Sequence, residues 1–436
     1  MHALSDLPDD VLVEIVVRLP AHSIARCRAV CRAWRCAISH ATFDMALARR
    51  PAAVATVTAD RLGFEFHTDY AYALEGTTPT LVSRTRVVFD LFLRWRRRPP
   101  CPLEVRLISD SRSSIVTTVR GSWDGVLCIE RGVWKWKPRP LRYHVEQYLL
   151  WNPVTKACAT VCPPADRGKI IGAYAHPTTR AFHLVHGSGE VVNDHLMAPT
   201  TFLIGRVGDD MAWREIPLEE ASPTDDARPS KIFISSNRNA RCVGLRGNLH
   251  WLALSGSGTL RILAFDTSSQ DRFRQIEAPE LGRGPADLTK VRLGTRSGSK
   301  LCIFSVAPSM SSMDVWVLDG YCATVRRSSW RRKERISFVS SWTFNAATEV
   351  EVEVVEGVGE GEEIFLHFET WIGVYNIRCK TWRRVMEVPG LITLGSHVSL
   401  VMHRESALQH EVSFGDASRA VSWRVDSDGT HRYNVA

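Results

Sequence analysis

Cysteine side chains come closest to a metal-binding pattern in this 436-residue chain. Cys27, Cys31 and Cys36 lie in one segment, and Cys158 and Cys162 lie in another. Zinc sites typically use a tight pair such as Cys-x-x-Cys together with a second matching pair. Neither segment contains such a pair, so we predict free apolar thiols and no metal site.

Other residue types with chemical potential also lack a catalytic arrangement. His183 and His186 alternate with apolar residues, which predicts a strand in which one or both imidazoles face solvent or bond to the backbone. The glycine-rich segments 256–258 and 357–361 lack the phosphate-binding fingerprints, and we predict hairpin loops for both. The sequence has no Gly-x-Ser-x-Gly, His-Glu-x-x-His or zinc-deaminase signature. We therefore predict a non-enzyme without a cofactor.

Two arginine-rich runs interleave aromatic residues with positive charge, at 94–98 and at 326–333. Such runs occur on nucleic-acid-binding surfaces, in nuclear import signals and on surfaces that bind acidic or phosphorylated partners. The net charge of +8 is small for this length, and no nucleic-acid-binding fold is indicated. The favoured interpretation is solvated turns between strands, without nucleic-acid binding.

The sequence predicts a helical segment at residues 4–43 that could carry a function. Pro8, followed by Asp9 and Asp10, suits a first helical turn, and a helix is predicted from Pro8 to Leu19, where Pro20 stops it. Ser23 can cap a second helix. Two apolar stripes keep helical spacing: Val11, Leu12, Ile15, Val16 and Leu19, then Ile24, Cys27, Val30, Cys31, Trp34 and Ile38. About 40 residues cannot close a core around so many apolar side chains, so part of this surface should dock on a partner.

This segment resembles the F-box, the motif that binds the Skp adaptor of Skp–cullin–F-box ubiquitin ligases. The matching residues are Leu7-Pro8, Leu12, Ile15, Leu19-Pro20, Val30-Cys31 and Trp34. Cys27 departs from the pattern, because the family more often has a larger apolar residue there. The resemblance implies adaptor contacts from Leu7, Pro8, Leu12, Ile15, Val16, Leu19 and Pro20, with Ile24, Val30, Cys31 and Trp34 shared between the module's core and the interface.

Length and composition predict two domains, a helical module at 1–46 and a larger domain at 51–436. No stretch approaches 18 uncharged apolar residues, which predicts a soluble protein without a signal peptide or membrane span. The eleven cysteines are scattered, and no Asn-x-Ser/Thr acceptor occurs. These features favour a reducing compartment, the cytosol or the nucleus.

The larger domain contains a loose repeat, clearest in residues 120–390. Five strand-like phrases end in similar residues, at Leu149–Pro153, Phe202–Arg206, Leu263–Thr267, Trp316–Gly320 and Gly373–Ile377. The steps between their Asn, Gly or Asp positions are 53, 61, 53 and 57 residues. An aromatic residue follows in four units, at Trp213, Phe273, Trp330 and Trp382. This period lies in the range of propeller blades.

The repeat predicts a mainly antiparallel β domain with little helix beyond residue 50. Each unit is predicted to contain strands with alternating apolar and polar residues and a tight turn at the Asn/Asp position. A further strand follows, whose aromatic residue packs between neighbouring sheets. Radial stacking of such units buries both faces and leaves few edges. We therefore predict an α+β protein, a three-helix module followed by a β-propeller, with a two-sheet sandwich as the rival.

The phrases also resemble the associated domain that follows the F-box in large plant families. The counterparts in this sequence are Trp151-Asn152-Pro153, Ile262–Asp266 and Val315–Leu318. The chain has no Gly-Gly doublet, unlike ordinary kelch repeats, and residues 51–120 contain no repeat phrase.

Together, the two resemblances imply a non-catalytic substrate receptor. The F-box would bind the Skp adaptor and through it cullin, while the β domain would hold an unknown target protein. The alternatives are an adaptor-bound interaction or regulatory protein that delivers no substrate, and a carbohydrate- or nucleic-acid-binding module.

Overall fold

The structure is a computed structural model of the 436-residue chain. It describes residues 9–17, 19, 21–27, 29–38, 43, 53–59, 63–69, 84–90, 114–135, 142–152, 158–164, 168–191, 196–208, 212–218, 232–235, 242–269, 272–281, 288, 290–296, 300–307, 309, 311–320, 329–338, 353–356, 363–368, 371–387, 397–403, 421–425 and 431–435.

Three short helices lie in the described part of the N-terminal region: α1 Asp9–Val17, α2 Ala21–Cys27 and α3 Arg32–Ile38. Leu19 donates its backbone N–H to Val16 O at 3.0 Å, a tight turn that follows the end of α1. The prediction that Ser23 caps the second helix is wrong. Because α2 begins at Ala21, directly after Pro20 in sequence, Ser23 is its third residue.

Beyond residue 50 the described residues form strands and turns, and no helix occurs among them. The strands are β1 Ala53–Ala59, β2 Gly63–Asp69, β3 Arg84–Asp90, β4 Ser114–Trp123, β5 Val126–Lys135, β6 Arg142–Trp151, β7 Cys158–Val161, β8 Lys169–Ala175, β9 Phe182–Val191, β10 Leu196–Arg206, β11 Trp213–Ile216, β12 Ile232–Ser235, β13 Val243–Leu245, β14 Asn248–Ser255, β15 Leu260–Asp266, β16 Phe273–Glu277, β17 Val291–Arg296, β18 Lys300–Val306, β19 Ser312–Asp319, β20 Ser329–Ser337, β21 Glu353–Glu356, β22 Glu363–Phe368, β23 Trp371–Asn376, β24 Thr381–Glu387, β25 His397–His403, β26 Val421–Val425 and β27 His431–Val435. Within the described chain, no helix is long and apolar enough to span a membrane.

Most of these strands form five antiparallel meanders. We name them meander 1 (β4–β7), meander 2 (β8–β11), meander 3 (β12–β16), meander 4 (β17–β20) and meander 5 (β21–β24). In meander 3 the first strand is split into β12 and β13, which both pair with β14. A short pairing of β10 with β12 joins meanders 2 and 3 into one nine-stranded sheet.

The five sequence phrases occupy one structural position, which confirms the repeat. Each phrase lies at the end of the third strand of its meander: β6, β10, β15, β19 and β23. The predicted turn chemistry is also present. Asp266 Oδ1 accepts the N–H of Ser268 at 2.8 Å, and Asn376 Oδ1 accepts the N–H of Cys379 at 2.8 Å.

Two of the aromatic residues that follow the phrases connect neighbouring meanders, as predicted. Trp330 Nε1 on β20 donates to Glu277 O at the end of β16, at 2.8 Å. Trp382 Nε1 on β24 donates to Ser337 O at the end of β20, at 3.0 Å. A shared apolar cluster also joins meanders 4 and 5: Cys302, Phe304, Val306, Met313, Val315, Val317, Ile336, Phe338, Ile364, Leu366 and Tyr375. Meander 4 therefore packs against both meander 3 and meander 5.

The two ends of the β region share a sheet, which the sequence did not indicate. Its strand order is β25-β1-β2-β3-β27-β26, and we name it the terminal sheet. β25 pairs antiparallel with β1, whereas β27 pairs in parallel with β3. Residues 51–120, in which no repeat phrase was found, thus supply three strands of this sheet and most of β4.

Candidate adaptor-binding surface

The helical module has its own small core. Six apolar side chains from the three helices and the residues after them are buried: Leu12, Val16, Ile24, Cys27, Ile38 and Phe43. Cys27, the residue that departs from the family pattern, lies in this core at 9% exposure. Burial of Leu12 and Val16 of α1 with apolar side chains of α2 and α3 holds the helices together.

The predicted contact residues separate into three groups by exposure. Leu12, Val16 and Ile24 are buried in the core of the module. Leu19 and Trp34 are half-buried, whereas Ile15, Val30 and Cys31 are exposed. Leu7, Pro8 and Pro20 lie outside the described residues. The adaptor contacts of all the predicted residues stay a prediction. In the uncomplexed chain, the exposed residues Ile15, Val30 and Cys31 are available to a partner.

Exposed apolar side chains define the surface of interest. Ile15 is 46% exposed and Val30 is 65% exposed. Val11, which sequence reasoning placed in the apolar stripe but not at the interface, is 36% exposed. Val11 and Ile15 are four residues apart on α1 and therefore lie on one face of that helix. This spacing in the sequence could have added Val11 to the predicted contact residues. We call Val11, Ile15 and Val30 the exposed apolar set.

Cys31 has a structural role at the start of α3. Its sulfur accepts the backbone N–H of Trp34 at 3.5 Å, and its carbonyl accepts the N–H of Arg35 at 3.1 Å. The sulfur thus occupies the place of a hydroxyl or carboxylate at a helix N-cap. Eight of the cysteines that the structure describes are free thiols, and no cluster of three metal-ligating side chains occurs in the described chain.

Several predictions for the β domain need correction. His183 and His186 do not face solvent, since both are buried. His183 Nδ1 donates to Ala181 O at 3.0 Å, which is the predicted backbone partner, while His186 Nδ1 lies 2.9 Å from Ser188 Oγ. Trp330 to Lys333 lie on strand β20, not in a turn. The segment 256–258 is the predicted hairpin turn, and residues 94–98, 326–327 and 357–361 lie outside the described residues.

Comparison with known proteins identifies the N-terminal module. Residues 4–43 match the family model described as F-box-like. The chain is also 22% identical over 405 residues to "F-box protein At5g49610" from Arabidopsis thaliana, covering 89% of this chain and 93% of that protein. The chain therefore carries an F-box-like domain at its N-terminus and is homologous over most of its length to a plant F-box protein. An F-box domain implies binding of the Skp adaptor and, through it, of cullin.

Solved structures resemble the chain only distantly. The WD40 domain of SCAP from fission yeast is 10% identical, with a TM-score of 0.32 over 82% of this chain and 85% of that one. A DUF4784 family protein from Bacteroides caccae is 10% identical, with a TM-score of 0.36 over 78% and 71%. Strand pairing, and not these likenesses, defines the architecture of the β domain.

We expect the protein to lose stability at mildly acidic pH, because two of its histidines are buried. Burial lowers the pKa of His186 to about 4, partly offset by Glu130, and burial lowers the pKa of His250 to about 4, partly offset by its bond to Val243 O. Both pKa values lie near 6.5 in the unfolded chain. Between pH 6.5 and 4 the unfolded state binds more protons, so stability falls as pH falls through this window.

At pH 5 each histidine is expected to cost about 2 kcal/mol of unfolding free energy relative to pH 7.5. Urea unfolding of the full chain at both pH values measures this loss. His186→Leu removes one titrating group whose Nε2 has no hydrogen-bond partner in the described chain. The variant should therefore lose less stability between the two pH values. An equal loss in the variant and the wild type would contradict the assignment.

Proposed function

We propose that this chain is the substrate-recognition subunit of a Skp–cullin–F-box ubiquitin ligase. The observation that carries the proposal is the F-box-like match over residues 4–43, where Ile15 and Val30 remain exposed although six neighbouring apolar side chains are buried. Exposed apolar side chains on a small helical module suit burial against a partner. The β domain would hold the target protein.

Such a receptor acts without bond chemistry of its own. It contributes proximity, because tethering raises the effective concentration of target lysines near the conjugating enzyme. The proposed role is therefore non-catalytic, in the cytosol or the nucleus. No side chain of this chain needs to act as an acid, a base or a nucleophile.

We also propose that the five meanders and the terminal sheet are six blades of one propeller. First strands of neighbouring sheets contact each other in the pairs β25 with β4, β4 with β8, β13 with β17, β17 with β21 and β21 with β25. β25 together with β1–β3 would complete the sixth blade from both ends of the β region. A crystal structure with six sheets around one axis would support this, and two facing sheets would refute it in favour of the sandwich.

Co-expression with the Skp adaptor tests the proposed function. The intact chain should elute with the adaptor as one complex on size-exclusion chromatography, and the triple variant Leu7→Ala/Pro8→Ala/Ile15→Ala should elute alone. Failure of the intact chain to form a complex would refute adaptor binding. Ubiquitin-dependent loss of a co-purified partner then separates a receptor from an adaptor-bound protein without substrate delivery. If removing this chain leaves the half-life of every partner unchanged, the receptor function is refuted.

A further inference from the structure

A hairpin of β26 and β27 occupies one edge of the terminal sheet. The two strands pair antiparallel with each other, and β27 also pairs in parallel with β3. We name β26 and β27 together the edge hairpin. At the opposite edge of the same sheet, β25 pairs with β1. Strands from beyond residue 396 therefore flank β1, β2 and β3 on both sides.

The two joins differ in length. The ladder between β25 and β1 contains seven residue pairs, and the ladder between β2 and β3 also contains seven. The edge hairpin is joined to β3 by three pairs: His431↔Val87, Arg432↔Val88 and Tyr433↔Phe89. Parallel pairing is also slightly less stable per residue than antiparallel pairing. The join between β27 and β3 is therefore the one that we expect to open first in this sheet.

The edge hairpin covers an apolar part of β3. This strand reads RTRVVFD from Arg84 to Asp90, and its uncharged apolar run is Val87-Val88-Phe89. These are the three residues that pair with β27. An unpaired apolar edge is a template for pairing with another chain, and natural proteins usually cover or charge such an edge. The position of the edge hairpin on β3 fits the role of a cover.

The strands that end the five meanders are protected in other ways. β7 and β11 are four residues long, and short edges offer little surface for pairing. β16, β20 and β24 carry charged residues, with the sequences FRQIE, SWRRKERIS and TWRRVME. Charged edges also resist pairing. β3 is seven residues long with an uncharged centre, so it has neither protection and depends on the edge hairpin.

The sequence of β3 is complementary in charge to itself. An antiparallel pairing with β3 of a second copy, centred on Val87, places Arg84 of each copy opposite Asp90 of the other. Opposite charges at directly paired positions favour such a pairing. Within one chain, β2 places Asp69 opposite Arg84, and it places Gly63, which has no side chain, opposite Asp90. The contact is two-fold symmetric, so the favourable charge pair occurs twice.

Covalent attachment favours the edge hairpin over a second copy. A segment tethered in the same chain typically reaches an effective concentration of about 1 mM. A second copy at micromolar concentration therefore competes poorly for β3, although the edge hairpin makes only three residue pairs there. Weakening the edge hairpin shifts this balance toward the second copy.

We propose that the edge hairpin is a detachable cover on a homodimerisation edge, and that its release lets two copies of this chain pair through β3. Arg84 and Asp90 set the antiparallel register of that pairing. The dimer carries two F-box-like modules, because β3 is separate in sequence from residues 4–43. This inference does not depend on adaptor binding or on the proposed receptor function.

The test measures self-association of the full chain by sedimentation velocity over a range of protein concentrations. Arg432→Pro releases the cover, because it places a proline at the middle of the β27–β3 ladder, and interior strands exclude proline. Val421→Pro is the matched control. Val421 is the first residue of β26, where proline is tolerated, and it pairs with Val435 and not with β3. The exposed apolar set is the same in every variant, so it does not cause differences between them.

We expect the wild type and Val421→Pro to remain monomeric, and the dimer dissociation constant of Arg432→Pro to be lower by about tenfold or more. Adding Asp90→Arg to Arg432→Pro places like charges opposite each other at both ends of the new pairing, and it should reverse the association. Adding Asp90→Glu keeps the charge and should preserve it. An excess of a peptide of residues 421–435 should return Arg432→Pro to the monomer, because it refills the edge of β3.

Three results would overturn the proposal. Arg432→Pro could remain monomeric, it could associate no more than Val421→Pro, or the Asp90→Arg and Asp90→Glu variants could associate equally. Tyr433→Pro, at the position that pairs with Phe89, is a second release variant. Circular dichroism records whether each release variant keeps its β structure. Unfolding of both would also overturn the proposal, because a detachable cover is not needed for folding.

Discussion

Replacement of Glu130 by leucine is expected to cause a large loss of stability in the β domain. Arg120 and Glu130 form a buried ion pair between β4 and β5, with Arg120 Nε 2.7 Å from Glu130 Oε2 and a second bond between Arg120 Nη2 and Glu130 Oε1. Their side chains are 7% and 0% exposed. Removing the carboxylate leaves a buried guanidinium charge, which typically costs about 3 to 5 kcal/mol.

The local backbone explains why this pair exists. The β4–β5 register shifts between Val119 and Gly121, so Arg120 is the extra residue of a bulge. Glu130 also lies close enough to Tyr148 and Cys128 to contribute to the raised pKa of both groups, after the larger effect of burial. The pair therefore lies beside buried Tyr148 and Cys128, where a charge is poorly solvated by water.

Urea unfolding of the full chain measures the effect. The double variant Arg120→Met/Glu130→Leu should recover most of the loss, because it removes both buried charges. Arg335→Met breaks a comparable two-bond pair with Asp314 on the surface and should barely move the midpoint, since solvent screens that pair. If the double variant were as unstable as Glu130→Leu alone, altered packing and not the buried guanidinium charge would be the cause.

The second large effect is expected in adaptor binding. Ile15→Asp places a charge in the exposed apolar set, and we expect the dissociation constant of the adaptor complex to rise by about 30-fold to 1000-fold, as for a central interface residue. The thermal midpoint of the uncomplexed chain should change little, because Ile15 is 46% exposed. Titration of purified adaptor measures the dissociation constant.

Leu12→Ala is the opposite case on the same helix. Leu12 is 5% exposed in the core of the module, so its truncation should lower stability by about 2 to 4 kcal/mol. Its effect on affinity should follow mainly the folded fraction, because a side chain that is 5% exposed presents little surface to the adaptor. Arg26→Glu, at an exposed position on α2 outside the predicted contact residues, controls for the introduction of a charge. Undiminished affinity in Ile15→Asp would exclude this face of α1 as the interface.

Local patterns in the sequence were sufficient to predict the classes of structure. The first apolar stripe and Pro20 predicted a helix from Pro8 to Leu19, and the structure has α1 at Asp9–Val17. The repeated phrases predicted equivalent strand ends and side-chain-capped turns such as that at Asp266. Such features depend on residues within a few positions of one another, so periodicity and turn chemistry reveal them.

Other features depended on contacts between distant residues. The stripe of α1 did not reveal that Leu12 would be buried and Ile15 exposed, since the answer depends on where α2 and α3 pack. The start of α2 was misjudged because Ser23 fits a cap equally well by sequence. The basic run at 330–333 was assigned to turns, although its edge position on β20 provides carboxylate partners from β19.

The sequence by itself determined an F-box-like helical module, a repeating β domain and the residues from which an adaptor surface could be built. Only the tertiary structure decided which of those residues are exposed, that β1 pairs with β25, and that His183 and His186 are buried. The physical reason is the distance along the sequence between the residues that interact. Secondary structure follows from neighbours along the chain, whereas burial, sheet closure and a shared face follow from strand register between segments far apart in sequence.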